Sequence, residues 1–303
     1  MGFDRVIFPG QRFTRARRGS LLPCDLANSQ MLTHKSTFLL LLPLTAIVAV
    51  FFLYPLGLIV FNSVNDGDWT LRGYEALFNS RLIAKVLQNT FEIAVGATLI
   101  SLALGYPIAM HLARQTPKRR ALYMIMVMLP FWTSILVKSF ALAIILGENG
   151  LINDFLGLFF GPDFFIPMMF NRVGVFVGMV NYLLPFMILP ILTSLMSQDP
   201  ALRKAAEIMG AGPARIFLTI TLPLSLTGVM AGVLMNLVLS LGMYITPALL
   251  GGRKDVMMAN LIDFYTRKTL DWQLASAIAV SLLVISVILA AFLQRSRGRG
   301  AAL

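Results

Sequence analysis

"LRKAAEIMGAGPARIFLTITLP", residues 202–223, is the stretch on which the reading of this chain turns. It lies between two long apolar runs, yet it carries charges together with Gly210, Gly212, Pro213 and Pro223. Asp199-Pro200, just before it, starts a helix well: aspartate caps free amides, and proline fits the first helical position. Leu202, Ala205, Ala206 and Met209 then recur at i, i+3, i+4 and i+7 and share one face, while Arg203, Lys204 and Glu207 take the rest. Gly210 is a natural stop in left-handed geometry. Gly212-Pro213 restarts the chain as a second helix, with Ile216, Phe217 and Ile220 apolar, and Leu222-Pro223 ends it and leads onward. The pattern predicts helix, sharp turn, helix. A first helix of ten residues is ~15 Å long, and its small alanine face suits docking into a groove on another protein. The competing reading is an amphipathic helix lying on a membrane. Alanine anchors poorly in lipid, however, and the stretch holds no tryptophan.

The rest of the chain supplies the context. Of 303 residues, 57% are hydrophobic and only 13% charged, which is too little charge for the surface of a soluble domain of this length. The mean hydropathy is +0.79. Several apolar runs reach the ~20 residues needed to cross hydrocarbon. Because lipid offers no partner to a backbone amide, such runs are helices. Six spans follow: Phe38–Phe61, about Asn89–Leu112, about Ala121–Leu146, about Val173–Leu195, about Leu224–Leu250 and about Trp272–Leu293. Residues 1–37 read as a disordered tail, residues 38–294 as the membrane domain with a loop over 196–223, and residues 295–303 as a second tail. "RFTRARRGS" followed by an apolar run resembles a signal peptide, but the run is too long, so it reads as an uncleaved first helix. Met31, opening "MLTHKSTFLLLL", reads as an alternative start to Met1.

Six spans place both tails on one side. The tails and the loops 113–120 and 196–223 hold 16 of the 25 basic residues, against four acids, whereas the other three loops hold eight basic residues against nine acids. The basic side is cytoplasmic by the positive-inside rule. The net charge of +11 is therefore mainly a topology signal, not a nucleic-acid footprint. The single cysteine, Cys24, excludes an internal disulfide and a cysteine metal cage, and His34 and His111 are too few for a histidine site. No G-x-x-x-x-G-K-[ST] loop occurs, since no lysine follows a glycine, so the chain does not itself cradle ATP phosphates.

Ala205-Ala206, three residues, Gly210, nine residues, Ile220, one residue, Leu222-Pro223 resembles the E-A-A loop of permease subunits of ABC importers. The resemblance implies a coupling helix that docks on the partner ATPase, carried here by Lys204, Ala205, Ala206, Gly210, Leu222 and Pro223. Lys204 departs from the pattern, standing where the family usually has glutamate. "LPFWTSILVKSFAL" (129–142), "YITPALLGG" (244–252) and "NLID" (260–263) look like the spermidine/putrescine permease subfamily. Together these resemblances cover about residues 38–295. They imply an all-α type I importer fold of six transmembrane helices in a bacterial inner membrane. They also imply a second permease subunit, an ABC ATPase dimer holding ATP and Mg, an external solute-binding protein, and polyamines or a related small organic ion as cargo. Relatives that carry iron, phosphonates or opines share much of this architecture.

Ionisable and polar groups inside apolar spans are costly and so point to function. Lys138 lies mid-span, where it lines the path, pairs with a neighbouring helix or snorkels; in the path it would repel a polyamine. Glu92 near the outer end of the second span reads either as attracting a cation or as solvated at the interface. Asn181, Tyr182, Tyr244 and Thr246 complete the pathway candidates, with helix packing as the alternative for each. A self-sufficient secondary transporter would show in-plane inverted repeats and membrane carboxylates for ion coupling. Neither is evident, and no cluster of His or Asp suggests a membrane-embedded enzyme.

Overall fold

The computed structural model describes residues 42–300 apart from 44, 66 and 162–164. The expected tail over 1–37, with Cys24, His34 and the Met31 start, lies outside the described residues. The chain divides into two units, one through Pro55 and one from Leu56. The described part of the first is an exposed apolar helical segment containing a π turn over Ala49–Leu53.

The second unit is helical. Its elements begin with α1 (Tyr54–Val64, entered from the first unit), α2 (Arg72–Asn79), α3 (Arg81–Ala113), α4 (Pro117–Trp132), α5 (Ile135–Leu146) and α6 (Leu151–Phe160). They continue with α7 (Arg172–Met196), α8 (Pro200–Ile208), α9 (Pro213–Ile216), α10 (Leu222–Leu241), α11 (Ile245–Leu250), α12 (Met258–Phe264) and α13 (Trp272–Gly300). Six helical stretches are long and apolar enough to cross a membrane: Thr45–Val64, Arg81–Ala113, Ile135–Phe160, Arg172–Met196, Pro213–Leu241 and Trp272–Phe292.

The first, second, fourth and sixth of these fall on the expected spans, the first as far as the described residues reach; the third and fifth differ. The run expected as one helix over 121–146 is broken at Thr133 and Ser134, which adopt extended backbone between α4 and α5. Pro130 lies just before the break, and the Thr133 hydroxyl donates to the Pro130 carbonyl at 2.8 Å. The expected fifth span is likewise interrupted, at 242–244 between α10 and α11. The last helix continues to Gly300, past the expected start of the tail.

Packing centres on α3, α7 and α10. Ala109 and Leu112 of α3 meet Met187, Ile188, Ile191, Leu192 and Leu195 of α7 in one buried cluster. Lipid tails are as apolar as leucine, so helices in a membrane associate through close packing of small residues more than through the hydrophobic effect. Gly228 on α10 is such a contact: a Cβ there would come within 2.5 Å of both the Pro190 carbonyl and the Ser194 Cβ. Gly228→Val is therefore expected to destabilise the fold by about 3 kcal/mol, read as a lower unfolding midpoint in detergent. A hydrogen bond between Tyr106 and Ser225, at 2.9 Å, pins α3 to α10. Large apolar side chains elsewhere face outward, among them Trp132, Ile144 and Leu158.

Candidate coupling face and pathway residues

The stretch after α7 folds nearly as its residues require. The Asp199 carboxylate accepts the Ala201 amide at 2.8 Å, and Pro200 is the first residue of α8. At the other end Gly210 has φ +78°, the left-handed region. The Gly210 amide reaches the Glu207 carbonyl at 3.0 Å, and the Ala211 amide reaches the Ala206 carbonyl at 3.0 Å. That pair of bonds is the Schellman closure, which consumes two helix-end carbonyls and turns the chain sharply. Gly212 and Pro213 then open α9.

One sequence expectation fails here. Leu222-Pro223 does not end the second helix. A π turn over Phe217–Thr221, closed by the Leu222 amide on the Phe217 carbonyl, carries α9 straight into α10. Pro223 lacks an N–H, and in a regular helix its ring would crowd the carbonyl four residues back. The extra residue of a π turn re-registers the carbonyls ahead of the proline, so the helix passes through without a break. α9, the π turn and α10 thereby form one continuous helical stretch over Pro213–Leu241.

The face of α8 has little cover among the described residues. Only Ala206 is half-buried; Leu202, Lys204 and Ala205 are exposed, and Ile208 and Met209 are each 86% exposed. Arg203 and Glu207 pair with each other at 2.9 Å, one turn apart. Lys204 makes no ion pair among the described residues. Beneath α8, a cleft of about 250 Å³ is lined by Arg114, Gln198, Asp199, Arg203, Ile220 and Thr221. The Gln198 side chain ties the two sides of the loop by donating to the Thr221 carbonyl at 3.1 Å.

The pathway candidates do not converge on one site. Lys138 is half-buried, and its ammonium lies 5.5 Å from the centre of the Tyr182 ring, a cation–π contact that joins two of the expected residues. Tyr182 continues an aromatic row through Phe186, at 5.6 Å, to Phe131, at 5.3 Å from Phe186. Asn181, beside it on α7, is exposed. Tyr244 sits elsewhere: its hydroxyl donates to Asp263 at 3.1 Å, and its carbonyl accepts from Asn260 at 2.9 Å. Thr246 is buried, and its methyl group fills the space left by Gly178 on α7.

Glu92 is not a free carboxylate awaiting a cation. One oxygen accepts from Arg172 at 2.7 Å and the other from Gln88 at 2.8 Å. Arg172 also reaches Asp255 at 3.2 Å and the Asn89 side chain at 3.2 Å. Asp255 in turn accepts the Gly252 amide at 3.3 Å. One arginine thus ties α3, the start of α7 and the loop before α12. Sequence reasoning missed Arg172 and Asp255. Arg172 is the lone basic residue in its loop, but nothing in the sequence shows that residues 80 positions apart meet.

Comparison with known proteins places this arrangement. Residues 101–298 match the family described as "Binding-protein-dependent transport system inner membrane component". The spermidine/putrescine transport system permease protein PotB of Haemophilus influenzae is 33% identical over 83% of this chain and 86% of its own length. The Escherichia coli protein of the same name is 34% identical over 76% of this chain and 83% of its own. A solved bacterial alginate ABC transporter, in complex with an alginate pentasaccharide-bound periplasmic protein, shares the fold at a TM-score of 0.71 and 19% identity, over 87% of this chain and 94% of that one. The chain belongs to the binding-protein-dependent transport system inner membrane component family. It is a multi-pass inner-membrane permease of an ABC importer, a transport subunit and not an enzyme.

Proposed function

We propose that this permease carries polyamines, spermidine and putrescine among them, into the cell, driven by a partner ATPase pair that binds ATP and Mg. The observation that carries the substrate reading is the 33% identity to a spermidine/putrescine permease across 83% of the chain. The aromatic row of Tyr182, Phe186 and Phe131 offers π faces of the kind that attract ammonium groups, and the Lys138 ammonium already occupies one of them. A second permease subunit and an external solute-binding protein complete the importer, and both termini face the cytoplasm. ATP-driven closure of the ATPases pushes on α8, and the π turn passes that motion into α10. Uptake of labelled spermidine and putrescine into vesicles holding the complete importer tests the reading. Uptake of an iron chelate, phosphonate or opine instead, with no polyamine uptake, would overturn the substrate while leaving the transport class intact.

Lys204 gives a separate expectation. With no acidic partner among the described residues, it is suited to an acidic groove on the ATPase. Lys204→Glu then introduces like-charge repulsion, and co-purification of the ATPase subunits should fall severalfold. Unchanged or tighter co-purification would show that the groove accepts glutamate at this position.

A further inference from the structure

We propose that the cleft between the beginning of α3 and residues 253–265 binds the phosphate headgroup of an anionic phospholipid. The cleft measures about 690 Å³. Arg81 and Lys85 stand one turn apart on the α3 wall, and Arg253 and Lys254 stand on the opposite wall. All four are exposed, and none makes an ion pair among the described residues. No carboxylate lines the cleft. Three acids close in sequence to these cations are engaged elsewhere, Glu92 and Asp255 with Arg172 and Asp263 with Arg267 at 2.8 Å, and Glu75, on the helix before α3, does not line the cleft. Four uncompensated cations around one space call for an anion.

The floor and the depth say which kind. Between the cations lie Leu82, Val86, Val256, Leu261 and Phe264, an apolar floor that a free phosphate or a protein carboxylate has no use for. An amphiphile uses both parts, with its acidic head among the cations and its chains along the floor. The 33 residues of α3 span about 50 Å, against a hydrocarbon core of about 30 Å, so its first turn stands at headgroup level. The site is also preformed. The Asn89 side chain donates to the Lys254 carbonyl at 2.6 Å, and the Met258 amide donates to the Thr90 hydroxyl at 2.9 Å, so the two walls are tied together.

The test uses the full-length subunit in nanodiscs of phosphatidylcholine doped with phosphatidylglycerol, with retained lipid counted by native mass spectrometry. The expected result is selective retention of phosphatidylglycerol. Each basic residue near an anionic headgroup is worth about a fivefold change in affinity. Arg253→Gln with Lys254→Gln should therefore lower retention about thirtyfold, and Lys85→Gln on the other wall about fivefold. Arg72→Gln with Lys268→Gln removes the same formal charge from exposed residues outside the cleft that make no ion pair among the described residues, and should leave retention unchanged. Equal retention of the two lipids, or equal loss in the two double variants, would overturn the proposal. So would displacement of the bound lipid by excess inorganic phosphate, which would mark a site for the free anion. Unfolding midpoints of the variants are measured alongside; these side chains are exposed, and loss of lipid with an unchanged midpoint is the supporting outcome.

Discussion

Gly210→Val is expected to abolish substrate-stimulated ATPase activity in the reconstituted importer while leaving insertion and basal hydrolysis intact. The cause is backbone conformation, not crowding. Gly210 has φ +78°, and a Cβ there would meet nothing within 4 Å. Left-handed backbone costs an ordinary residue about 1–2 kcal/mol and a β-branched one more. The cheapest relief is to undo the Schellman turn, which releases the Glu207 and Ala206 carbonyls and swings the apolar end of α8 out of position. Gly212 provides the control. It too has open space around it, but its φ is −69°, which any residue adopts. Gly212→Ala should keep full stimulation. Ala206→Leu should reproduce the Gly210→Val defect by a different route, since it enlarges the half-buried residue of the docking face. Normal stimulation in both Gly210→Val and Ala206→Leu would remove α8 from the coupling role.

Arg172→Ala carries the second large effect. Asp255 is 8% exposed at its side chain and loses its cation, while Glu92, at 43%, can turn to water. A buried carboxylate left without its charged partner costs about 2–3 kcal/mol, whereas the exposed pair adds little. The unfolding midpoint in detergent should fall accordingly. Arg172→Lys should recover only part of the loss, because a lysine cannot present a planar fork to Glu92, Asp255 and Asn89 together. Combining Arg172→Ala with Asp255→Asn should cost less than the sum of the two single changes. Strict additivity would show that the arginine stabilises the fold without acting through Asp255.

Much of this protein is legible in its sequence for local reasons. A span needs only a long apolar run, so the number and order of the crossings, the second, fourth and sixth helices especially, follow from hydropathy alone. The turn at Gly210 follows from one residue type in one conformation, and the start of α8 from an aspartate before a proline. Lys138 and Tyr182 were each singled out by local polarity, but only the packing of α5 against α7 brings them to 5.5 Å. Where proline meets a long helix, local rules failed in both directions: the run over 121–146, read as one helix, breaks at 133–134, and the helix read as ending at Leu222-Pro223 continues. At Pro223 a π turn absorbed the missing donor, and π turns leave no clear mark in composition.

The pathway candidates show the limit most clearly. The sequence by itself determined that Glu92 is a costly charge inside an apolar span and that Thr246 is a polar residue near a helix end. It could not determine that Glu92 is answered by Arg172, 80 residues away, or that Thr246 fills the space over Gly178. Nor could it show that the basic residues at the start of α3 and those after α11 share one cleft. Side-chain pairing across a helical bundle depends on the rotation and depth of each helix against its neighbours. Those are set by close packing at small residues such as Gly178 and Gly228, which the chain carries singly and far apart in sequence.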